Sequence, residues 1–221
     1  MIRTSKLNRL PKHVGLIPDG NRRWAEVRGQ GKHAGYDAGV EPGIQLLELC
    51  RDLGVREVSI YGFTKENVRR PAIQVAAFRQ ACVAFAQASV RSGHALRVIG
   101  DMHSRVFPAE LKAYAHRTSG DLRVNLLVNY GWQWDLRNGS SSAAPVGARV
   151  LPARFHFASE DVPKLDLIVR WGGRRRLSGF LPIQSAYADI YTLDTLWPDM
   201  SPGELVEALH WHEHQDVTMG G

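Results

Sequence analysis

Several things are scarce in this 221-residue chain, and each scarcity removes a class of answer. There are only two cysteines, Cys50 and Cys82, too few for a disulfide scaffold. Each sits in a helix-like apolar stretch, so both read as buried free thiols of a reducing compartment. No segment approaches the ~20 consecutive apolar residues of a spanning helix. The basic segment Met1–Pro11 lacks the apolar centre of a secretory signal. The expected location is cytoplasmic. Net charge is +6, yet there is no long Lys/Arg tract, zinc-finger spacing or aromatic RNA-binding signature, so nucleic acid is not the expected partner. An ordinary basic surface, an anionic substrate and peripheral association with an anionic membrane all fit that charge. The chain has neither a Walker-type loop nor G-x-G-x-x-G, which argues against nucleotide cofactors. No Ser/His/Asp or Cys/His triad is evident, and the nine histidines show no metal-ligand spacing. His210, His212 and His214 alternate along a helix and read as solvent-facing. With no internal repeat and no composition break, residues 1–221 read as a single domain.

What is present is ordinary globular composition, 44% apolar and 23% charged, in an alternating pattern of strands and helices. Strands are predicted over His13–Ile17, Glu57–Phe63, Ala95–Gly100, Leu122–Asn129 and Lys164–Arg170, and Ser185–Tyr191 holds a helical or short strand segment. Helices are predicted over Asn21 to about Arg28, Gly39–Leu53 closed by Gly54, Pro71 to about Ser92, and Pro108–His116. A last helix opens at Ser201-Pro-Gly-Glu204, where Ser caps, Pro takes the first position and Glu completes a capping box. Residues 138–153 are rich in Gly, Ser, Ala and Pro and read as a flexible loop or shortened connection. The fold class is α/β, a mainly parallel six-stranded sheet flanked by helices. Ligands of such sheets bind at the carboxyl ends of strands, so the polar sequences after residues 17, 63, 129 and 170 are candidates for one shared site.

The most informative of these is Asp19-Gly-Asn-Arg-Arg-Trp24, which directly follows the strand and Pro18. Gly20 lets the backbone approach a ligand closely. The first helical turn offers free N–H groups that favour anions. Arg22 and Arg23 can add charge-assisted bonds to phosphate oxygens. An acid in this cationic cradle makes sense if Mg²⁺ joins it, because Mg²⁺ commonly bridges one carboxylate to substrate phosphates. Three weaker signals follow. Phe63-Thr-Lys-Glu-Asn-Val-Arg-Arg-Pro71 offers Thr64, Asn67 and Arg70 to a phosphorylated substrate, although a capped polar loop looks the same. Arg170-Trp-Gly-Gly-Arg-Arg-Arg-Leu-Ser-Gly-Phe180 combines a double glycine with four arginines and a serine, the composition of a diphosphate loop or of a solvated basic one. Asp189 in Gln184-Ser-Ala-Tyr-Ala-Asp189 can be a second Mg²⁺ ligand if the fold brings it near, and is otherwise a surface carboxylate.

Taken together, these segments resemble the cis-prenyltransferase family, typified by undecaprenyl diphosphate synthases. Its pattern runs D-G-N-x-R-W, Y-x-F-S-x-E-N-W-x-R-P, N-Y-G-G, R-x-G-G-E-x-R-x-S-N-F and A-Y-A-E-x-Y…W-P-D. This chain has Asp19–Trp24, Tyr61–Pro71, Asn129-Tyr-Gly131, Arg170–Phe180, Ala186–Tyr191 and Trp197-Pro-Asp199, in the same order over nearly its whole length. The resemblance implies Mg²⁺-dependent condensation of isopentenyl diphosphate with an allylic prenyl diphosphate, forming a Z double bond, in a homodimer. By carry-over, Asp19 holds Mg²⁺ and assists diphosphate departure. Gly20, Asn21, Arg22 and Arg23 cradle the allylic diphosphate, and Trp24, Lys32 and Tyr36 lie near it. Thr64, Glu66, Asn67, Val68 and Arg70 form the catalytic loop, with Asn67 at the proton-handling position. Arg170, Arg176 and Ser178 bind isopentenyl diphosphate, and Asp189 stands at a metal position. The growing chain would enter an apolar tunnel walled by the helix over about 72–92.

The departures from the pattern are as informative. Lys32 and Tyr36 stand for Arg and His, Val68 for Trp, and Trp132 for the second Gly of N-Y-G-G. Arg174 stands for the Glu of R-x-G-G-E, Gly179 for Asn and Asp189 for Glu. The segment His214–Gly221 lacks the family's arginine-rich tail. Phe78 and Phe85 are placed to close the tunnel, so a short or specialised product is expected. The charge reversal at Arg174 opens the alternative of irregular, lavandulyl-type coupling. A non-catalytic partner subunit is a third reading, opposed by the presence of Asp19.

Overall fold

A computed structural model describes residues 7–138 and 156–216. Six strands form one sheet in the order β3-β4-β2-β1-β5-β6, and every neighbouring pair is parallel. They are β1 His13–Ile17, β2 Glu57–Tyr61, β3 Ala95–Ile99, β4 Arg123–Leu127, β5 Leu167–Arg170 and β6 Asp189–Thr192. The helices are α1 Asn21–Val27, α2 Ala34–Ala38, α3 Val40–Leu53, α4 Ala72–Arg91, α5 Trp132–Arg137 and α6 Pro202–Glu213. The uninterrupted apolar run of β1 is what a strand covered on both faces requires, and all five of its residues are buried.

One face of the sheet carries the main core. Leu16, Val58, Leu96 and Val124 pack there under Leu46 and Leu47 of α3, Cys82 and Phe85 of α4, and Leu205 and Leu209 of α6. The opposite face is thinner: Ile17, Tyr61, Ile99, Leu127 and Ile168 pack under Tyr130, Phe180 and Leu181, with Trp134 of α5 at the rim. The amino-terminal end of this face is polar. Glu57 there accepts from Asn125 Nδ2 at 2.8 Å and pairs with Arg117 at 3.5 Å and Arg123 at 3.3 Å. Asn125 also donates to Ser59 Oγ, which bonds His13 Nε2 at 2.8 Å.

The expected elements are found with trimmed ends. Gly54 caps α3 in the left-handed region, and the Glu204 carboxylate accepts the Ser201 N–H at 3.0 Å at the start of α6. Two readings need correction, and one element was missed. The segment after Pro108 is a 3-10 helix, Ala109–Tyr114, burying only Leu111, so packing gives a longer α-helix little reward. The short α2 has no apolar period and was not legible. His212 is buried, because α6 lies against the start of β6 and the ring meets Asp189 at 2.8 Å. The expected loop over 138–153 lies outside the described residues from 139 onward, and so does the tail from 217.

Candidate active site

The polar segments following β1, β2, β4 and β5 converge on one open cleft of about 690 Å³ at the carboxyl end of the sheet. It is lined by Asp19 to Arg23 and Glu26, by Thr64, Glu66, Asn67 and Arg70, by Trp132, and by Arg170, Arg174, Arg176 and Ser178. Six arginines face three carboxylates there, so the cleft favours an anion.

Asp19 sits at the turn between β1 and α1. Its Oδ1 accepts the Gly20 N–H at 2.7 Å and lies 3.5 Å from Arg23, and its Oδ2 accepts from Arg170 Nη2 at 2.7 Å. Gly20 has φ +107, and a Cβ there would meet Leu196 Cδ2 at 2.9 Å, so the turn requires glycine. Arg23 is held over the site by donating to the Gly172 carbonyl at 2.7 Å. Parallel pairing of Ile17 with Arg170 is what brings Asp19 and Arg170 together across 151 residues. Arg170 is almost fully buried, and it also donates to Ser178 Oγ at 2.9 Å and to the Arg176 carbonyl at 2.5 Å. Arg174 lines the cleft with no carboxylate partner among the described residues.

On the β2 side, Thr64 opens a 3-10 helix over Lys65–Arg69, and Asn67 Oδ1 accepts the Thr64 N–H at 3.1 Å. Arg70 donates to the Tyr36 hydroxyl at 2.8 Å. Tyr36 stacks flat on Phe78, with centroids 4.4 Å apart. Tyr61 donates its hydroxyl to the Ser178 carbonyl at 3.0 Å. Burial, and secondarily Glu66, push the Tyr61 phenol well above its ordinary value, so it stays a donor.

Beneath the charged cleft, and sharing Pro18, Asn21, Tyr36, Tyr61, Gly62 and Phe78 with it, lies a small apolar pocket. Ile60, Cys82, Phe85, Leu126 and Trp197 also line it. The Phe85 ring presses on α3 so closely that a Cβ on Gly43 would stand 2.7 Å from it. The pocket holds about 50 Å³ for the centres of water-sized groups. Burial pushes the Cys82 thiol up to about 12, so it is an apolar wall and not a nucleophile.

Four sequence-predicted residues lie elsewhere. Trp24 turns its indole away, donating to Asp199 at 2.7 Å beneath the Arg28 guanidinium. Lys32 pairs with Glu26 at 2.8 Å at the rim. Val68 packs on the main core. Asp189 does not approach Asp19 within this chain. It pairs with Leu167, three positions before Arg170, so it sits roughly 10 Å down the sheet at ~3.3 Å per residue, against His212. Sequence reasoning missed Glu26 as a cleft residue. Its signal was its helical spacing of four from Arg22 and three from Arg23.

The chain has recognisable relatives. The prenyltransferase family model for undecaprenyl diphosphate synthase matches residues 17–220. An isoprenyl transferase of Heliobacterium mobile is 34% identical over 97% of this chain and 89% of its own length. A ditrans,polycis-undecaprenyl-diphosphate synthase of Pseudomonas aeruginosa is 34% identical over 95% of this chain and 90% of its own. The crystal structure of lavandulyl diphosphate synthase from Lavandula x intermedia, in complex with dimethylallyl diphosphate, superposes with a TM-score of 0.83 at 22% identity, covering 96% of this chain and 99% of that one. The fold, the order of its motifs and these relatives together make the chain a prenyltransferase belonging to the undecaprenyl diphosphate synthase family.

Proposed function

We propose that this enzyme condenses isopentenyl diphosphate with a short allylic prenyl diphosphate and releases a short Z-prenyl diphosphate. The observation that carries the reading is the junction of an arginine-rich cleft with a small apolar pocket. One water needs ~10–15 Å³ of centre volume, so 50 Å³ takes on the order of four small groups, about one isoprene unit. A long polyprenyl chain needs many times that space, and Phe78 and Phe85 stand where it would have to pass.

Arg22 and Arg23 bind the allylic diphosphate, and its hydrocarbon enters the apolar pocket between Tyr36, Tyr61 and Phe85. Arg170, Arg176 and Ser178 hold the acceptor diphosphate. The C1–O bond breaks, diphosphate departs with the electron pair, the acceptor double bond closes a carbon–carbon bond at C1, and a proton is lost in the region of Asn67. Arginines aimed at the departing oxygens stabilise the charge that develops there. The donor set suits Mg²⁺ in the mode of one carboxylate plus substrate phosphates: Asp19 is half-exposed at the cleft, while no group of three or more His, Cys, Asp or Glu among the described residues forms a cage. Asp19 would hold the ion, and the ion would supply charge neutralisation at the leaving diphosphate.

Purified protein with Mg²⁺, isopentenyl diphosphate and dimethylallyl, geranyl or farnesyl diphosphate should give products extended by one or a few units. A long polyprenyl series would overturn the short-product reading. The second reading, irregular coupling of two dimethylallyl units, is favoured by Arg174 in the cleft and by the name of the superposing lavandulyl enzyme. A branched product from dimethylallyl diphosphate alone would establish it.

A further inference from the structure

Two residues that depart from the family pattern, 47 positions apart in sequence, touch in the fold. The Trp132 indole covers Gly179 so closely that a Cβ on Gly179 would stand 2.8 Å from its Cδ1, and Gly179 has φ +77. Only glycine leaves both the space and the conformation. Trp132 opens α5, lines the cleft and is 41% exposed, whereas Trp171 and Trp197 are 0% and 2% exposed. A large apolar ring left facing a ligand cleft is an informative exposure.

The backbone that carries the ring is also anchored. Gly131 packs on the Lys65 stem, whose ammonium pairs with Asp101 at 2.7 Å. Asp135, one turn later, is buried and accepts from the Tyr130 hydroxyl at 2.5 Å and from Ser159 N–H and Oγ at 2.8 and 2.7 Å. The loop beneath the indole is fixed from the other side, by Tyr61 on the Ser178 carbonyl and Arg170 on Ser178 Oγ. Ser178 itself is in the left-handed region at φ +53. An aromatic plate thus stands on the residue next to Ser178, in the cleft that Arg176 also lines.

We infer that Trp132, seated on Gly179, is a specificity-determining residue that forms the apolar wall for the hydrocarbon of a five-carbon acceptor diphosphate. The inference rests on the assignment of Arg170, Arg176 and Ser178 to the acceptor. Charged groups in that half of the cleft recognise diphosphate but give no grip on a small hydrocarbon. The indole supplies that grip and, seated against Gly179, limits the acceptor's size.

The test compares calorimetric affinities for isopentenyl diphosphate and inorganic diphosphate in wild type, Trp132→Gly and Trp132→Phe, with thermal melting as the control for folding. Trp132→Gly should weaken isopentenyl diphosphate by about tenfold, the loss expected for one apolar contact face, and leave inorganic diphosphate unchanged. Trp132→Phe should restore most of the difference. In turnover, the acceptor KM should rise with the allylic KM unchanged. Gly179→Ala, which drives a methyl into the indole, should shift the same ratio, and less so once Trp132 is Gly. Equal loss for both diphosphates, or none for either, would overturn the inference while product formation by wild type leaves the parent reading intact. Absence of any isopentenyl diphosphate binding to wild type would overturn both.

Discussion

At the amino-terminal end of the sheet, Glu57 is buried beneath Asn125, Arg117 and Arg123, and every partner belongs to the chain. At the carboxyl end, Asp19 meets Arg170 and Arg23 at the edge of an open cleft, and Arg174 faces the cleft without a carboxylate partner among the described residues. The residue types are the same and their environments differ. A closed network spends its charges on holding strands in register. An open one keeps hydrogen-bonding capacity for an anion that arrives later. Removing one member of the first should therefore cost stability, and removing one member of the second should cost activity.

The sharpest way to break that comparison is Asp19→Asn. The isosteric amide keeps the Gly20 contact and loses the charge. Turnover should fall on the order of 10³-fold, about 4 kcal/mol of barrier, with melting nearly unchanged. A large drop in melting temperature would show that Asp19 serves the fold as Glu57 does. Glu57→Ala is the converse. It leaves Arg117 and Asn125 without their acceptor and should destabilise by about 3 kcal/mol in urea unfolding, with turnover per folded molecule preserved. Phe85→Leu probes the boundary between the two ends. It should cost about 1 kcal/mol and lengthen the product series by deepening the apolar pocket; an unchanged series would remove Phe85 as the stop.

The smallest effect is a pH dependence confined to the closed end. Burial lowers the His13 pKa, opposed in part by Glu57 and by the Pro163 and Lys164 carbonyls. Burial lowers His94 as well. Both rings stay neutral in the fold at pH values where the unfolded chain, near 6.5, takes a proton. The unfolded state then binds more protons, so stability is retained above about pH 6.5 and lost as pH falls below it, by at most about 1.4 kcal/mol per pH unit for each ring. Melting temperature from pH 7 to 5 should fall, and less steeply in His13→Gln. An equal slope in that variant would assign the loss elsewhere.

Much of this was legible in advance for physical reasons. Buried parallel strands read as continuous apolar runs, and β1, β2 and β4 did so. Asp19 to Arg23 was legible because a turn, a glycine and a helix start are local events encoded in adjacent residues. The convergence of Arg70, Arg170 and Ser178 on that turn followed from the rule for strand ends. Other features were not legible. Trp24 looked like a site residue by position, yet helix rotation turns it to Asp199. His212 looked exposed by alternation, but α6 packs that face onto β6. Asp189 carries the right chemistry, and the register of β6 against β5 sets it apart from Asp19.

By itself, then, the sequence determined the family, the sheet and the Asp19–Trp24 turn, because these depend on local pattern and on motifs whose order is preserved. Tertiary structure alone decided the size of the apolar pocket, the partner of each arginine and the meeting of Trp132 with Gly179. Those depend on which side chains from distant segments fill the same space, and packing of that kind leaves no trace in the spacing of residues along the chain.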